Sequence, residues 1–271
     1  MRRYARGSFV VLWMALAAGA AWGGSSLDDL AAVVPASSEA GIIGLPGLTM
    51  RRLMQPVREH GIRFANVAEV DLSQWDIRTV SAQRVLRKPL ATLPELMQAS
   101  PGAVAGINAG FFKIGERPVF VGYYVEEGVL VPHQQGPKRI FFIGADGKAG
   151  VARSADAVPQ GVRSAVAGFS GGGKDDPTAR SAVCITAAGT VKLLAVYPVA
   201  SLVRMTRYLN EAEGCADYVH LDGGGSTQFV LRTEGGVSVG WEREKQCYDG
   251  AAASPPECFR KVADALLVFP K

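Results

Sequence analysis

Residues 181–198 read SAVCITAAGTVKLLAVYP, two apolar runs around a short stretch that reverses near Gly189. A segment of this kind closes on itself as an antiparallel hairpin, because parallel neighbours need a crossover of a dozen or more residues. The next segment, SLVRMTRYLNEAEG, carries the best helical period in the chain. Ser201 is placed to cap it, Leu202, Met205 and Leu209 share one face, and Gly214 stops it. Most other signals are strands. RIFFIGADGKAGVA reads as a second hairpin with Asp146-Gly147 in its turn. FANVAEVDL and WDIRTV read as two more strands joined by a short polar turn, AVAGINAGFF as a buried strand ending in a glycine turn, and KVADALLVF as the closing strand. TLPELMQAS is a short helix with Thr92 and Glu95 at the spacing of a capping box. Hairpin-linked sheets with a few helices predict an α+β fold in one domain, not a doubly wound sheet.

The first 24 residues stand apart. Arg2, Arg3 and Arg6 precede the apolar run FVVLWMALAAGAAW, and small residues come after it, which are the three parts of a secretory signal peptide. The run is short for a permanent anchor, which takes about 20 apolar residues. The expected organisation is therefore a signal peptide over 1–24, a lead-in over 25–58 broken by Pro35, Gly41, Gly44, Pro46 and Gly47 that reads as a partly ordered linker followed by the first strands, and a catalytic domain over 59–271. The same segment implies a periplasmic or secreted location, with no membrane span left after processing. The formal charge of +4 falls to +1 once the three leader arginines are removed (4 − 3). Nucleic acid is thus not an expected partner.

Four cysteines remain, an even number that fits disulfides in an exported chain. Cys247 and Cys258 flank a polar loop and are expected to pair; Cys184 and Cys215 are left open as paired or as buried thiols. No C-x-x-C occurs, and neither a metal nor a cofactor is expected.

The chemistry concentrates in VHLDGGGSTQFVL, residues 219–231, where an apolar strand ends in Asp222, three glycines, Ser226 and Thr227. Three glycines in succession mark a tight reversal or a backbone that a ligand approaches closely. Two other glycine-rich patterns are decoys. GFSGG around Ser170 fits a nucleophile elbow, yet glycine, charge and proline come next where that elbow needs a helix. Gly168, Gly173 and Lys174 nearly fit a phosphate-binding loop, but Asp175 stands where a magnesium-holding hydroxyl belongs. Asn108 and Gly110 in GINAGFF form either a polar presentation at a strand end or an Asx turn. Arg180 and Arg260 each precede an apolar strand, where a guanidinium binds an anion in bidentate fashion or is simply solvated.

GINAGFF, the PTARSAVCITAAGTVKLLAV hairpin, GCADYVHLDGGGST and RKVADALLVF occur in an order and spacing that resemble the phosphodiester glycosidase family over roughly residues 60–270. Before LDGGGS the family commonly carries Asn; this chain has His220. The resemblance implies hydrolysis of a sugar joined through a phosphodiester, with Asp222 acting at the anomeric carbon, Arg180 and Arg260 on the phosphate, and Asn108 on a sugar hydroxyl. Gly110, the Gly223, Gly224 and Gly225 backbone, Ser226, Thr227 and His220 would complete the substrate contacts. The substrate class is a carbohydrate or glycosyl phosphodiester of envelope or exopolysaccharide material. The alternative is a non-catalytic envelope protein that binds glycans in the same cleft. Tyr123, Tyr124 and Trp241 are candidate sugar platforms, while His60 and His133 read as surface residues.

Overall fold

The long apolar strands of this chain are apolar on both faces, and the architecture gives each face something to cover. A computed structural model describes residues 42–53, 60–62, 64–113, 119–171, 178–233, 236–239 and 260–271. The chain opens with β1 (Ile42–Leu45), β2 (Leu48–Leu53), β3 (Phe64–Val70) and β4 (Trp75–Ser81). Two short helices come next, α1 (Ala82–Leu86) and α2 (Leu93–Gln98), then β5 (Ala105–Asn108), β6 (Phe111–Lys113) and β7 (Val119–Val121). After them lie β8 (Tyr124–Glu126), β9 (Val129–Leu130), β10 (His133–Gln134), β11 (Arg139–Ile143), β12 (Ala149–Ala152) and β13 (Ser164–Gly168). The hairpin β14 (Thr178–Thr186) and β15 (Val191–Ala200) leads to α3 (Leu202–Glu211) and β16 (Cys215–His220). β17 (Phe229–Thr233), β18 (Gly236–Val239) and β19 (Asp264–Pro270) complete the fold.

Two sheets form its centre, one in the order β1-β2-β3-β15-β14-β16 and one in the order β18-β17-β5-β19-β4. Their strands pair antiparallel throughout. Side chains alternate accordingly. Val183 and Leu193 point into the core shared with Ile107, Leu266 and Val268 of the other sheet, while Ala182, Cys184 and Leu194 turn outward onto Met205, Tyr208 and Leu209 of α3. On the far side Leu267 and Ala265 pack under Leu93, Leu96 and Met97 of α2. Four layers result, helix on sheet on sheet on helix. A smaller sheet, β12-β11-β13-β8-β9, and the three strands β10-β7-β6 flank them. The α+β expectation in a single domain holds.

The helices start where their caps predict. Thr92 and Glu95 make both bonds of the capping box, and the Ser201 hydroxyl accepts from the Arg204 N–H. Beyond α3, Glu213 is buried against Lys192 Nζ at 2.9 Å and Arg51 Nη2 at 2.8 Å, which fastens the helix end to β15 and β2.

Long-range pairing supplies three things that the sequence left open. FANVAEVDL and WDIRTV are two strands joined by a short turn, and because β3 and β4 lie in different sheets that turn carries the chain across the core. The first strands, at residues 42–53 in the lead-in, are the outer strands of the six-stranded sheet, through the β2–β3 pairing from Leu48 opposite Val70 to Leu53 opposite Ala65. Cys184 and Cys215, left open in sequence, form a disulfide across β14 and β16. With a sequence separation of 31, this bridge restricts the unfolded chain enough to stabilise the fold by about 3–4 kcal/mol. Cys247 and Cys258 lie outside the described residues, as do Trp241, Lys174, Asp175 and Asp176.

Candidate active site

After His220 the chain leaves the six-stranded sheet, and at Phe229 it joins the five-stranded one. Asn108, at the end of β5, pins both ends of that crossing. Its Nδ2 donates to the Asp222 carbonyl at 2.7 Å, and its Oδ1 accepts from the Gln228 N–H at 3.1 Å and the Ser181 hydroxyl at 2.6 Å. The Asp222 N–H donates in turn to the Ala109 carbonyl at 3.0 Å. Asn108 is only 1% exposed, so it positions Asp222 rather than meeting a sugar hydroxyl. Asn108→Ala strands three buried polar groups, each costing about 1–3 kcal/mol. Urea unfolding should show a loss of about 3 kcal/mol; a loss under about 1 kcal/mol would remove the pinning role.

Each glycine of the triplet has its own reason. A Cβ on Gly223 would lie 2.9 Å from the Ala179 carbonyl, so the turn touches β14 there. Gly224 has φ +60, the left-handed region that disfavours side chains. A Cβ on Gly225 would meet Arg260 Cδ at 3.3 Å and Nη1 at 3.7 Å, while one on Gly223 would meet Arg180 Cδ at 3.6 Å and Nη1 at 3.8 Å. The two guanidiniums therefore lie against the glycine turn directly after Asp222, Arg180 beside Gly223 and Arg260 beside Gly225. Asn108, Arg180, Asp222 and Arg260 come together around this turn, a convergence that the sequence left open.

Asp222 is half-buried. Burial pushes its carboxyl above the usual range, against the pull of the Gly223 N–H, which donates to Oδ1 at 3.0 Å, and of the Arg260 charge. The Ser226 hydroxyl also favours the ionised form, although it falls short of hydrogen-bond geometry. A second acid, not singled out in the sequence, lies beneath. Asp264, the first residue of β19, is 0% exposed, and burial pushes it up to about 8; the charges of Glu126 and Asp222 add to the rise and the Gly110 N–H opposes it. That N–H donates to its two oxygens at 3.1 and 3.0 Å. At pH 7 Asp264 is protonated, so the site pairs an accessible carboxyl with a sealed neutral one.

Several expected contacts resolve differently. A Cβ on Gly110 would lie 3.0 Å from Asp264 Oδ2, so this glycine lets the backbone close on the acid instead of opening space for substrate. His220 is 1% exposed, with Nε2 3.0 Å from the Thr206 hydroxyl; burial, then the Arg180 and Arg139 charges, push it down to about 3. It is a neutral wall behind the site, not a substrate contact. Ser226 and Thr227 are buried too, and the Thr227 carbonyl accepts from the Tyr197 hydroxyl at 3.1 Å. Tyr124 lies inside the core, stacked on Phe120 with ring centroids 4.0 Å apart, and offers no sugar platform. Ser181, Gln228 and Asp264 were missed in sequence. Only Asp264 gives a signal there, as a lone acid in an apolar strand.

The phosphodiester glycosidase family matches residues 101–269, well over half of the chain. The chain belongs to that family. No curated protein matches it by sequence. Among solved structures it resembles the catalytic domain of zebrafish N-acetylglucosamine-1-phosphodiester alpha-N-acetylglucosaminidase, which is auto-inhibited by its pro-peptide. The TM-score is 0.65 at 16% identity, covering 92% of this chain and 94% of that one. A hypothetical protein from Synechocystis matches at TM-score 0.56 and 14% identity, over 87% of this chain and 64% of its own. A Burkholderia pseudomallei protein described as exported matches at 0.55 and 15%, over 76% and 74%. At these identities the likeness is one of fold.

Proposed function

We propose that the protein is an exported hydrolase that cleaves the bond between a sugar's anomeric carbon and a phosphodiester, in envelope or exopolysaccharide material. The observation that carries this reading is the placement of Arg180 beside Gly223 and Arg260 beside Gly225, in the glycine turn that follows Asp222. The disulfide, which suits an oxidising compartment, supports export.

The chemistry fits one accessible carboxyl. Most glycosidases need a second, protonated acid because an alkoxide leaves badly. A phosphate monoester departs as a stabilised anion. In the proposed reaction Asp222, ionised, assists at the anomeric carbon by direct attack or by activating water. The bond from that carbon to the phosphate oxygen breaks, and its electron pair stays on the phosphate between the two guanidiniums. Arg180 and Arg260 act through charge and bidentate donors, strengthening as charge moves onto phosphate. Asp264 keeps a neutral neighbour under Asp222 and touches no substrate.

The test offers the protein from residue 25 onward a series of aryl glycosyl phosphodiesters, with plain aryl glycosides as controls. The phosphodiesters should be cleaved at least about 10²-fold faster. Cleavage of the plain glycosides alone would overturn the phosphate role, and binding without turnover of any substrate would favour the glycan-binding alternative.

A further inference from the structure

Beside the candidate site lies a recess of about 420 Å³ lined by Lys138, Arg139, Arg153, Gly168, Phe169 and Ser170. Among the described residues three cations and no acid line it. Arg139 is fixed, ion-paired with Asp217 and held 5.1 Å from the Tyr218 ring centroid. Lys138 and Arg153 are exposed and have no ion pair among the described residues. Two unspent cations converging on a concave surface favour an anion.

Phe169 adds an aromatic face. It is 48% exposed, just past the end of β13. Its backbone is bonded in both directions to His220, with its N–H donating at 2.8 Å and its carbonyl accepting at 2.9 Å. Its ring meets Phe111 edge-on, centroids 5.0 Å apart. An exposed ring braced edge-on by a second aromatic offers a sugar a face to stack on.

The recess is also coupled to the site. His220 separates them, and its imidazole senses Arg139 on the recess side and Arg180 on the site side. Asp222 stands two residues later, roughly 7 Å along an extended chain. Phe111 succeeds Gly110 on the other flank. One phosphodiester already has two guanidiniums, so the further cations exceed what a single phosphate requires.

Resting on the proposed hydrolase activity, we infer that this recess is a subsite for the leaving portion of the substrate, with a sugar ring on Phe169 and a second phosphate-class anion on Lys138 and Arg153. The preferred substrate then carries phosphate at successive positions, as in a sugar-phosphate polymer, and is not an isolated diester.

The experiment compares two glycosyl phosphodiesters, one esterified to methanol and one to a hexose carrying a further phosphate. The wild type should show a kcat/KM on the order of tenfold higher for the longer substrate, a difference of about 1.4 kcal/mol. The preference should shrink at high salt. In K138A/R153A it should fall to within about twofold of unity. A wild type without preference, or a double variant that keeps it, would overturn the subsite. Titration calorimetry with glucose 6-phosphate, and glucose as control, probes the recess without chemistry. Weaker binding by K138A/R153A supports the subsite even if neither diester turns over, in which case only the hydrolase reading fails. Equal binding by both proteins would overturn the subsite.

Discussion

Asp222→Asn is expected to lose about 10³-fold or more in turnover of a glycosyl phosphodiester while keeping its affinity for substrate or product. The expectation comes from geometry. Asn108 and Ala109 hold the Asp222 backbone from two sides, and Oδ1 accepts the Gly223 N–H. An asparagine keeps that oxygen and every backbone bond, so the turn and its guanidiniums stay in place. What disappears is the charge at the anomeric carbon, an interaction strengthened in the transition state, so kcat falls more than KM rises. Burial already disfavours the ionised form, so the variant should be no less stable than the wild type. In the wild type, activity should rise as pH climbs through the elevated Asp222 pKa. Turnover within about threefold of wild type in the asparagine variant would exclude Asp222 as the catalytic group.

Asp264 produces the second large effect, this time on stability. Its folded-state value is pushed up to about 8, against about 3.9 for an unfolded aspartate. The folded protein therefore binds a proton that the unfolded chain releases, and stability is lost as pH rises between those values. It is fully present below about pH 4 and gone above about pH 8, at roughly 1.4 kcal/mol per pH unit. Asp264→Asn retains an oxygen for the Gly110 N–H and carries no charge to bury. It should match the wild type near pH 4 and exceed it by several kcal/mol at about pH 8 in denaturant unfolding. Glu126 is raised by its own burial and titrates in the same direction in both proteins, so the difference between the two curves reads Asp264 together with its interaction with Glu126. Parallel stability curves for the two proteins across this range would show that Asp264 is not a buried proton store.

Local signals made much of the framework legible. The β14–β15 hairpin and α3 are written in residues that touch each other: a Gly189 reversal, a Ser201 cap and an apolar face at helical spacing. Where the answer depended on distant partners, the same signals stopped short. The segment between β3 and β4 reads as a short polar turn, but what sends those strands to different sheets is their pairing with β15 and β19. The cysteines were hidden for a similar reason. Cys215 stands beside Cys184 only because Thr186 pairs with Cys215 across a register shift.

The site divides along the same line. Asp222, Arg180 and Arg260 were readable as charged groups at strand ends, where chemistry is exposed. Asn108 was readable as unusual, but its task was not, because its partners lie 73, 114 and 120 residues away. Gly110 and Asp264 stand 154 residues apart and explain one another only in contact.

The proposed chemistry rests on two guanidiniums and one carboxylate sharing a phosphodiester. Its most direct test measures kcat/KM of the wild type, Arg180→Ala and Arg260→Ala on an aryl glycosyl phosphodiester and on its methyl-capped, neutral phosphotriester. Each variant is predicted to lose about 10²-fold on the charged diester and distinctly less on the neutral ester, whose phosphate becomes an anion only as the bond breaks. Full diester turnover in both variants would contradict that chemistry.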